Sequence, residues 1–461
     1  MSKIEVNAVE PQCGTTLTLG ASGDTVTLGS GASQSGFGRT GTVDWQTGSI
    51  KTATFTAANG EGYFANTSGG AFTMNLPAGS AGAIVSVVDY TNTFQTNALT
   101  IAPNGSQKIG GIASSISLTT EGQSVTFVYV DDTEGWKNVQ DSTSNVTGSP
   151  FIQATGGTIT TSGNCKIHTF TGPGTFTVSQ VSSNCAAENV VSYMVVAGGG
   201  GGGSSWRSGG GGAGGFREVK APTTPYTASP LDGYPSAPNR ITVTVQAYPI
   251  TVGGGGTGGG PALANVGTNG ANSQFSTIIA TGGGRGGTYN PPCAPDHPGQ
   301  PGGSGGGGGG NNSPSSPVGG TGNTPPVSPA QGTNGGNGNS DGSLSRGAGG
   351  GGASAAGTPS LPGNQGCGGA GVSSSITASP VAYAGGGGGG CYASTNSPPS
   401  GGSGGGGAGG FSTCGSSTGA TAGSNATANT GGGGGGKAGS SSANLSGNGG
   451  SGIVVIRYKF Q

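Results

Sequence analysis

Uninterrupted runs of glycine constrain this chain more than any other feature of its sequence. Residues 1–197 hold 26 of the 109 glycines, and residues 198–461 hold the other 83. Glycine costs about 1 kcal/mol at each helix position, so α-helical folds are disfavoured. Collagen is excluded because the glycines form blocks and do not recur at every third residue. The pure glycine blocks include 198–203, 209–212, 253–256, 305–310, 385–390, 404–407 and 431–436.

One interpretation of these blocks is disorder, which is usual for glycine- and proline-rich chains without a regular period. Charge argues against it, because soluble disordered segments usually rely on charged residues. Between residues 305 and 452 the only charged residues are Asp341, Arg346 and Lys437. Apolar strand-like segments are also inserted among the blocks, at residues 241–245 and 275–279.

The other interpretation is an ordered bundle of polyglycine-II helices. Such a helix has three residues per turn, rises about 3.1 Å per residue and has no internal hydrogen bonds. A buried one must therefore exchange N–H and C=O bonds with its neighbours. Only glycine lets backbones approach closely enough on every side, by the steric argument that applies at the collagen axis. We expect this ordered arrangement over residues 198–451.

The first part of the chain has the patterns of β-structure. The clearest hairpin joins residues 124–130 to 136–139 across the acidic turn 131–135. Turns every 8–12 residues predict a β-sandwich-like module over residues 46–145. This module would follow an N-terminal segment, 1–45, and end in a linker at 141–145. Further short strands are predicted at 16–19, 25–28, 52–56, 71–76, 83–89 and 99–102.

Apolar strands are predicted on both sides of the glycine blocks. The first group lies within residues 165–197 and the second is the terminal run 452–461. We expect these two groups to lie together and to close residues 150–461 into one unit. The predicted fold is thus all-β, with an N-terminal β-rich fibre module followed by a polyglycine-II helix sandwich closed by β-strands.

Composition excludes several classes of partner. The net charge near −1 provides no basic surface for nucleic acid or for a membrane surface. The longest apolar run, around residues 190–197, is far shorter than the ~20 residues of a membrane span. No apolar stretch follows the first positive charge, so we expect no secretory signal. A virion component, assembled in a host cytosol and released by lysis, would fit an extracellular composition without an export signal.

Specific motifs resemble those of a known class of proteins. Residues 4–20, IEVNAVEPQCGTTLTLG, and the module around 48–140 resemble tail-fibre-like structural proteins of marine phages, including cyanophages. Residues 167–176, 194–197 and 452–458 resemble the glycine-rich domain of phage tail fibres. That architecture is similar to the polyglycine sandwich of distal adhesins in some T-even-like phages. In those phages the adhesin caps a separate fibre, whereas here both parts share one chain.

The resemblance implies a homotrimeric virion fibre or adhesin, attached through its N-terminus to a virion tail or fibre-attachment protein. Its partner would be a host cell-surface receptor, either a glycan or an outer-membrane protein, with no nucleic acid, membrane insertion or cofactor involved. Loops held by a rigid scaffold carry binding residues, and aromatic and polar side chains make adaptable contacts. The receptor-binding residues that we expect are Trp206, Arg207, Tyr289, His297, Tyr383 and Tyr392.

Two alternatives belong to other functional classes. A purely structural virion or surface filament would use the glycine segments as packing material. A polysaccharide-depolymerising tailspike would need two carboxylates within several ångströms of each other. We expect no enzyme, because the acidic residues beyond position 150 are widely spaced; they are Glu188, Glu218, Asp232, Asp296 and Asp341.

Three local patterns admit a chemical role that we consider weaker than a structural one. The block 431–436 with Lys437 has the glycine–lysine spacing of a phosphate-binding loop, but Ala438 replaces the required Ser or Thr. Cys293 and His297 are four residues apart and suggest a metal corner, for which a surface loop is the better interpretation. Among the seven cysteines, pairing is left open, including a bridge between Cys165 and Cys185.

Overall fold

A computed structural model describes residues 43–143, 151–260, 265–288, 298–310, 317–339, 346–361, 365–392, 397–412, 420–439 and 445–461. These residues are all-β, apart from two 3₁₀ helices at Ala186–Asn189 and Ala237–Asn239. In this part of the chain no helix is long and apolar enough to cross a membrane. The chain divides into two compact units, Met1–Gly148 (unit 1) and Ser149–Gln461 (unit 2). The predicted strands at 16–19 and 25–28 lie outside the described residues.

Unit 1 contains two open sheets between which the chain alternates. The first has the order β1-β3-β5-β8-β9 and the second the order β2-β4-β6-β7. Because consecutive strands up to β6 lie in different sheets, their pairings within each sheet are parallel. The strands are β1 (Asp44–Trp45), β2 (Phe55–Thr56), β3 (Glu61–Ala65), β4 (Phe72–Asn75), β5 (Ile84–Asp89), β6 (Leu99–Ala102), β7 (Ile116–Leu118), β8 (Ser124–Asp131) and β9 (Gly135–Ser142).

The predicted hairpin of unit 1 is confirmed, since β8 and β9 pair in antiparallel fashion around the acidic turn. Strand β9 extends to Ser142, so the predicted linker at 141–145 begins inside a strand. The reason is pairing: Asp141 and Ser142 face Val125 and Ser124 across the ladder. An apolar core fills the space between the sheets, and Trp136 is its largest fully buried side chain.

Unit 2 begins and ends in strands of β-sheets, and the glycine segments lie between these strands in the sequence. One sheet has the order β10-β13-β17-β18-β19, and a six-stranded sheet has the order β11-β12-β24-β14-β15 with β16 paired to β14. The strands are β10 (Gln153–Thr155), β11 (Thr158–Ser162), β12 (Cys165–Phe170), β13 (Gly174–Gln180), β14 (Val190–Val196), β15 (Phe216–Val219), β16 (Ile241–Thr242), β17 (Ala247–Thr251), β18 (Ser273–Phe275), β19 (Ile278–Ala280), β20 (Val372–Ser374), β21 (Val381–Tyr383), β22 (Cys391–Tyr392), β23 (Phe411–Ser412) and β24 (Ile453–Lys459).

The terminal strand β24 lies between β12 and β14 and is antiparallel to both. This pairing confirms that the apolar runs before and after the glycine blocks lie together. Both faces of β14 are buried: Tyr193 packs in an aromatic cluster with Phe176 and Phe275, whereas Met194 packs on the other side with Phe216. Burial on both faces explains why β14 and β24 are apolar at most positions and do not alternate. Ser192 and Arg457 are buried polar exceptions.

Backbone hydrogen bonds of the glycine segment 198–203 repeat every three residues. The N–H groups of residues 198 and 201 donate to one neighbouring segment, those of 199 and 202 to a second, and those of 200 and 203 to a third, at 2.8–3.0 Å. The carbonyls of 198–202 accept from other neighbours. Six segments therefore surround 198–203; it donates to 268–271, 447–450 and 209–212, and it accepts from 256–259, 283–286 and Gly434.

Side chains are excluded from this packing in three directions, towards the segments whose N–H groups donate to 198–203. A Cβ atom built on Gly198, Gly199 or Gly200 would lie less than 3.0 Å from the backbone of Gly254, Gly432 or Gly284, respectively. Since real Cβ contacts are essentially never that short, only glycine fits at these positions. Unbroken glycine in the sequence is thus a consequence of close contact on every side of the segment.

Two predicted strands of unit 2 are shorter or more bent than the sequence indicated. The run 275–279 is a hairpin, because Ser276 has a left-handed φ of 52° that reverses the chain between β18 and β19. The run 241–245 forms a strand only over β16 (Ile241–Thr242). Beyond it, the N–H of Thr244 donates to the Tyr248 hydroxyl at 2.8 Å and leaves the ladder.

Candidate functional site

A turn at residues 204–208 connects two glycine segments away from the six-stranded sheet. Strand β14 leads into segment 198–203, and segment 209–215 leads back to β15, so the turn lies one segment length from the sheet. Backbone hydrogen bonds connect it to the ends of other segments. We call the turn 204–208 together with Gly260, Gly310, Gly390 and Lys437 the loop end, because these residues are hydrogen-bonded to the turn.

Trp206 is the one exposed residue between positions 191 and 219. Its exposed fraction is 39%, whereas Ser205 and Arg207 on either side are 6% and 7% exposed. Both neighbours have left-handed backbones, with φ of 66° and 51°. A non-glycine residue in that region costs roughly 1–3 kcal/mol, and such strain is concentrated at functional sites. The turn thus holds a large aromatic side chain in solvent at an energetic cost.

Two buried serines fix the turn from below. The Lys437 backbone N–H donates to the Ser208 Oγ at 2.8 Å and to the Ser446 Oγ at 3.1 Å. The Ser446 hydroxyl donates in turn to the Gly203 carbonyl. These bonds join the turn to the segments that contain Lys437 and Ser446. Ser208 and Ser446 were missed by sequence reasoning, because no local pattern relates two serines that are 238 residues apart.

Three buried basic residues lie in or next to the loop end. Arg207, Arg346 and Lys437 are 7%, 6% and 0% exposed. Arg346 adjoins the turn, since a Cβ on Gly310 would lie 3.0 Å from the Arg207 Cβ and 3.2 Å from the Arg346 nitrogen. Burial lowers the pKa of Lys437, because desolvation disfavours its charged form. Three basic residues of a nearly neutral chain are therefore found in the turn and in the segments next to it.

Of the six expected receptor-binding residues, the structure places Trp206 and Arg207 together at the loop end. Tyr383 lies elsewhere: it belongs to β21, is 3% exposed and packs with Met194 and Val455 beneath the six-stranded sheet. Burial also raises the pKa of its hydroxyl. Tyr383 therefore offers no surface to a receptor in this arrangement.

Of the other three expected residues, the structure describes only the backbone of Tyr392. The backbone of Tyr392 is in β22, which pairs in parallel with β23, and the preceding Cys391 N–H donates to the Gly410 carbonyl at 3.0 Å. The Tyr392 side chain lies outside the described residues, as do Tyr289 and His297. Their receptor-binding role stays a prediction.

The described carboxylates of unit 2 form hydrogen bonds or ion pairs within the fold. Glu188 bonds to Lys459 Nζ at 2.9 Å. Glu218 accepts from the Ser229 N–H at 2.8 Å and the Ser374 hydroxyl at 2.5 Å, while burial raises its pKa. Asp232 accepts two backbone N–H bonds at 3.0 Å. Each of these carboxylates is thus engaged by local structure.

The remaining chemical motifs have structural explanations or lie outside the described residues. In the block 431–436, the N–H groups of residues 433–436 already donate to carbonyls of other segments, so they do not form a cradle for phosphate. Cys165 and Cys185 are free thiols, and the possible bridge between them is not formed. Cys293 and His297 lie outside the described residues, among which no cluster of three metal-ligating side chains occurs.

Comparison with known families gives a match that lies within unit 2. A family model described as a glycine-rich domain matches residues 169–459. The match begins within β12 and ends at the last residue of β24, so it covers both bracketing groups of strands and everything between them. Among curated proteins, none matches the chain. With well over half of its length matched, this protein belongs to the glycine-rich domain family.

Proposed function

We propose that this protein is a phage tail-fibre or adhesin protein that attaches the virion to a host cell through the loop end of unit 2. One observation carries the proposal: Trp206 is exposed on a strained turn whose neighbouring residues are all buried. The binding partner is a host cell-surface glycan or outer-membrane protein. In this proposal the N-terminal segment 1–45 binds a virion tail or fibre-attachment protein, and the assembled fibre is a homotrimer.

The scaffold that holds the turn is, in this proposal, a sandwich of polyglycine-II helices. Hydrogen bonds and excluded Cβ directions that both repeat every three residues support it, because this helix has three residues per turn. At a rise of about 3.1 Å per residue, segment 198–203 spans roughly 19 Å. Neighbouring segments satisfy its backbone groups, so the bundle needs no large aliphatic core.

Trp206 has the properties of an anchor for a binding partner. Tryptophan is enriched among the few interface residues that dominate affinity. Its large contact area costs little conformational entropy, and a turn already fixed by Ser208 and Ser446 reduces the ordering cost further.

A cell-binding assay tests the proposal. Fluorescently labelled full-length protein is incubated with bacterial strains lysed by particles that contain this chain. We expect saturable binding to those strains, and Trp206→Ala should weaken it by about 30-fold, the equivalent of the ~2 kcal/mol of a hot-spot residue. Trp45→Ala is the matched control, since Trp45 is a comparably exposed tryptophan, at 42%, in unit 1. Equal binding by the two variants would contradict the proposal.

A structural filament is the second candidate, and the dense hydrogen bonding between glycine segments favours it independently of Trp206. Electron cryo-microscopy of whole particles separates the two. An adhesin lies at the distal tip with unit 2 outward, whereas a filament protein lies in the shaft or on the capsid and its wild-type form does not bind cells. A depolymerase would instead release soluble saccharide from host polysaccharide.

A further inference from the structure

Six asparagines of this chain are followed directly by glycine, and the structure describes all six pairs. The asparagines are Asn59, Asn104, Asn269, Asn334, Asn337 and Asn448. Because glycine has no Cβ, its backbone nitrogen can approach the preceding side chain closely. That nitrogen can attack the amide carbon of the asparagine and displace ammonia, a reaction called deamidation. All six pairs share this sequence, so a difference in their reactivity would come from the structure.

In unit 2, hydrogen bonds to other segments hold both reacting groups of each Asn-Gly pair. The Asn448 Oδ1 accepts from the Gly258 N–H at 2.7 Å. The next nitrogen, that of Gly449, donates its hydrogen to the Gly256 carbonyl at 2.8 Å. The same two kinds of contact occur at Asn269, Asn334 and Asn337. The amide oxygen and the attacking nitrogen of these four pairs are thus engaged by other partners.

One pair of unit 1 is held in the same way. The Asn59 Oδ1 accepts from the Ile84 N–H at 2.9 Å, and the Gly60 N–H donates to the Ile84 carbonyl at 2.8 Å. A nitrogen whose hydrogen is bonded becomes a nucleophile only when the bond opens, so the free energy of local opening lowers the rate. The five bonded pairs should therefore react slowly in the folded protein.

Asn104 and Gly105 form the exception among the six pairs. They lie between β6 and β7, and both residues are exposed. Neither the Asn104 side-chain amide nor the Gly105 N–H forms a hydrogen bond with any residue that the structure describes. A Cβ on Gly105 would have nothing within 4 Å, so there is open space beside the attacking nitrogen. In this pair both reacting groups are available without any opening of the fold.

We propose that Asn104 is a site of spontaneous deamidation, with water as the co-reactant. The Gly105 nitrogen bonds to the Asn104 Cγ and loses its proton to solvent, while the Cγ–Nδ2 bond breaks and ammonia leaves with a proton from solvent. Water then opens the resulting cyclic imide at one of its two carbonyls. Attack at Cγ gives aspartate, whereas attack at the main-chain carbonyl gives isoaspartate, whose main chain is one carbon longer. The site does not depend on the role proposed for the loop end of unit 2.

Isoaspartate at position 104 would change the turn that follows it. The Asn104 carbonyl accepts from the Gln107 N–H at 3.0 Å, and isoaspartate converts this carbonyl into a free carboxylate beside a lengthened chain. Gln107 in turn holds Gly79, since its Oε1 accepts from the Gly79 N–H at 2.9 Å and its Nε2 donates to the Gly79 carbonyl at 3.3 Å. Deamidation should therefore loosen the contact between Gln107 and Gly79.

The test follows deamidation of the full-length protein during incubation in mildly alkaline buffer. Peptide mapping by mass spectrometry measures aspartate and isoaspartate at each of the six positions. We expect Asn104 to react at least about 100-fold faster than Asn59, the matched pair of unit 1, because about 2.8 kcal/mol of opening free energy slows a reaction by that factor. In protein unfolded by urea, all six pairs should react at similar rates. Equal rates at Asn104 and Asn59 in the folded protein, or the same preference for Asn104 in urea, would overturn the proposal.

A second measurement tests the consequence for the turn. Hydrogen exchange of the Gly79 amide should be about tenfold faster in the isoaspartate-containing fraction than in fresh protein, the effect of one lost hydrogen bond. Asn104→Asp is the control, because it adds the same negative charge without lengthening the main chain, and its Gly79 amide should exchange as in fresh protein. Unchanged exchange of Gly79 in the isoaspartate fraction, or equally fast exchange in Asn104→Asp, would refute the loosening of the turn by isoaspartate.

Discussion

Replacing Gly200 with alanine should destabilise unit 2 because the methyl group has no space. Its Cβ would lie 2.5 Å from the carbonyl carbon of Gly284 and 2.8 Å from the Gly283 oxygen. Ordinary contacts of a Cβ are 3.4–4 Å. Both obstructing atoms belong to the backbone, so no side chain can rotate away. The segment 283–286 must therefore move by roughly 1 Å, enough to forfeit much of each contact.

The size of the effect follows from the bonds that this movement breaks. Segment 283–286 donates to the Gly198 carbonyl at 2.9 Å and to the Gly201 carbonyl at 3.0 Å, and it accepts from the Gly212 N–H at 2.8 Å. Three backbone hydrogen bonds at ~1 kcal/mol each contribute about 3 kcal/mol. Alanine recovers about 0.4–1 kcal/mol by reducing the entropy of the unfolded chain. We expect a net loss of about 2–3 kcal/mol in the free energy of unfolding.

Gly254→Ala provides the matched control. It lies in another glycine block, its backbone is not left-handed, and a Cβ there would have nothing within 4 Å. Alanine should leave stability unchanged or raise it by up to about 1 kcal/mol. Urea denaturation of the full chain, followed by hydrogen-exchange mass spectrometry of unit 2 peptides, measures both variants. If Gly200→Ala were as stable as Gly254→Ala, the close packing of glycine segments would be refuted.

Three further predictions concern the strands that close unit 2. The His168 Nδ1 lies 2.7 Å from the Gly156 carbonyl, and burial lowers the pKa of the ring. The free energy of unfolding should therefore fall as pH drops below 6.5, by up to about 1.4 kcal/mol per pH unit. Urea titrations at several pH values should show a weaker dependence of this free energy on pH for His168→Asn. Burial raises the pKa of Glu218 above 4.5, so its contribution should decline as pH rises through the folded-state pKa, and Glu218→Gln should remove that decline. Deleting residues 453–461 removes the strand between β12 and β14 and should make unit 2 insoluble or protease-sensitive, whereas a soluble, resistant product would disprove the closure.

Local sequence patterns predicted the parts of this fold that local chemistry determines. The hairpin β8–β9 has strong strand formers on both sides of an acidic turn with glycine, and the apolar run of β24 indicated a terminal strand that lies with the first apolar group. Glycine blocks predicted close backbone contact, because the steric requirement acts at most residues of a segment, with Gly254 as an exception.

Long-range features of the fold and of the site were not predictable in this way. Parallel pairing of β1 with β3 arises because the chain changes sheets between them. The alternation of apolar and polar residues within a short strand does not show to which sheet the strand belongs. Tyr383 and Trp206 are both aromatic residues near glycine blocks, yet one is buried beneath a sheet and the other is exposed on a turn. Their difference depends on which end of a segment each occupies, which is a property of the whole bundle.

Amide hydrogen exchange of the full-length protein tests the central claim most directly, namely that the glycine segments form an ordered, hydrogen-bonded scaffold. In segments 199–203 and 209–215 every backbone N–H donates to a carbonyl of another segment. We expect these amides to be protected to the same extent as those of β24, because all of them open only with unit 2 as a whole. Exchange at the rate of an unstructured peptide in these segments, alongside a protected β24, would contradict the account.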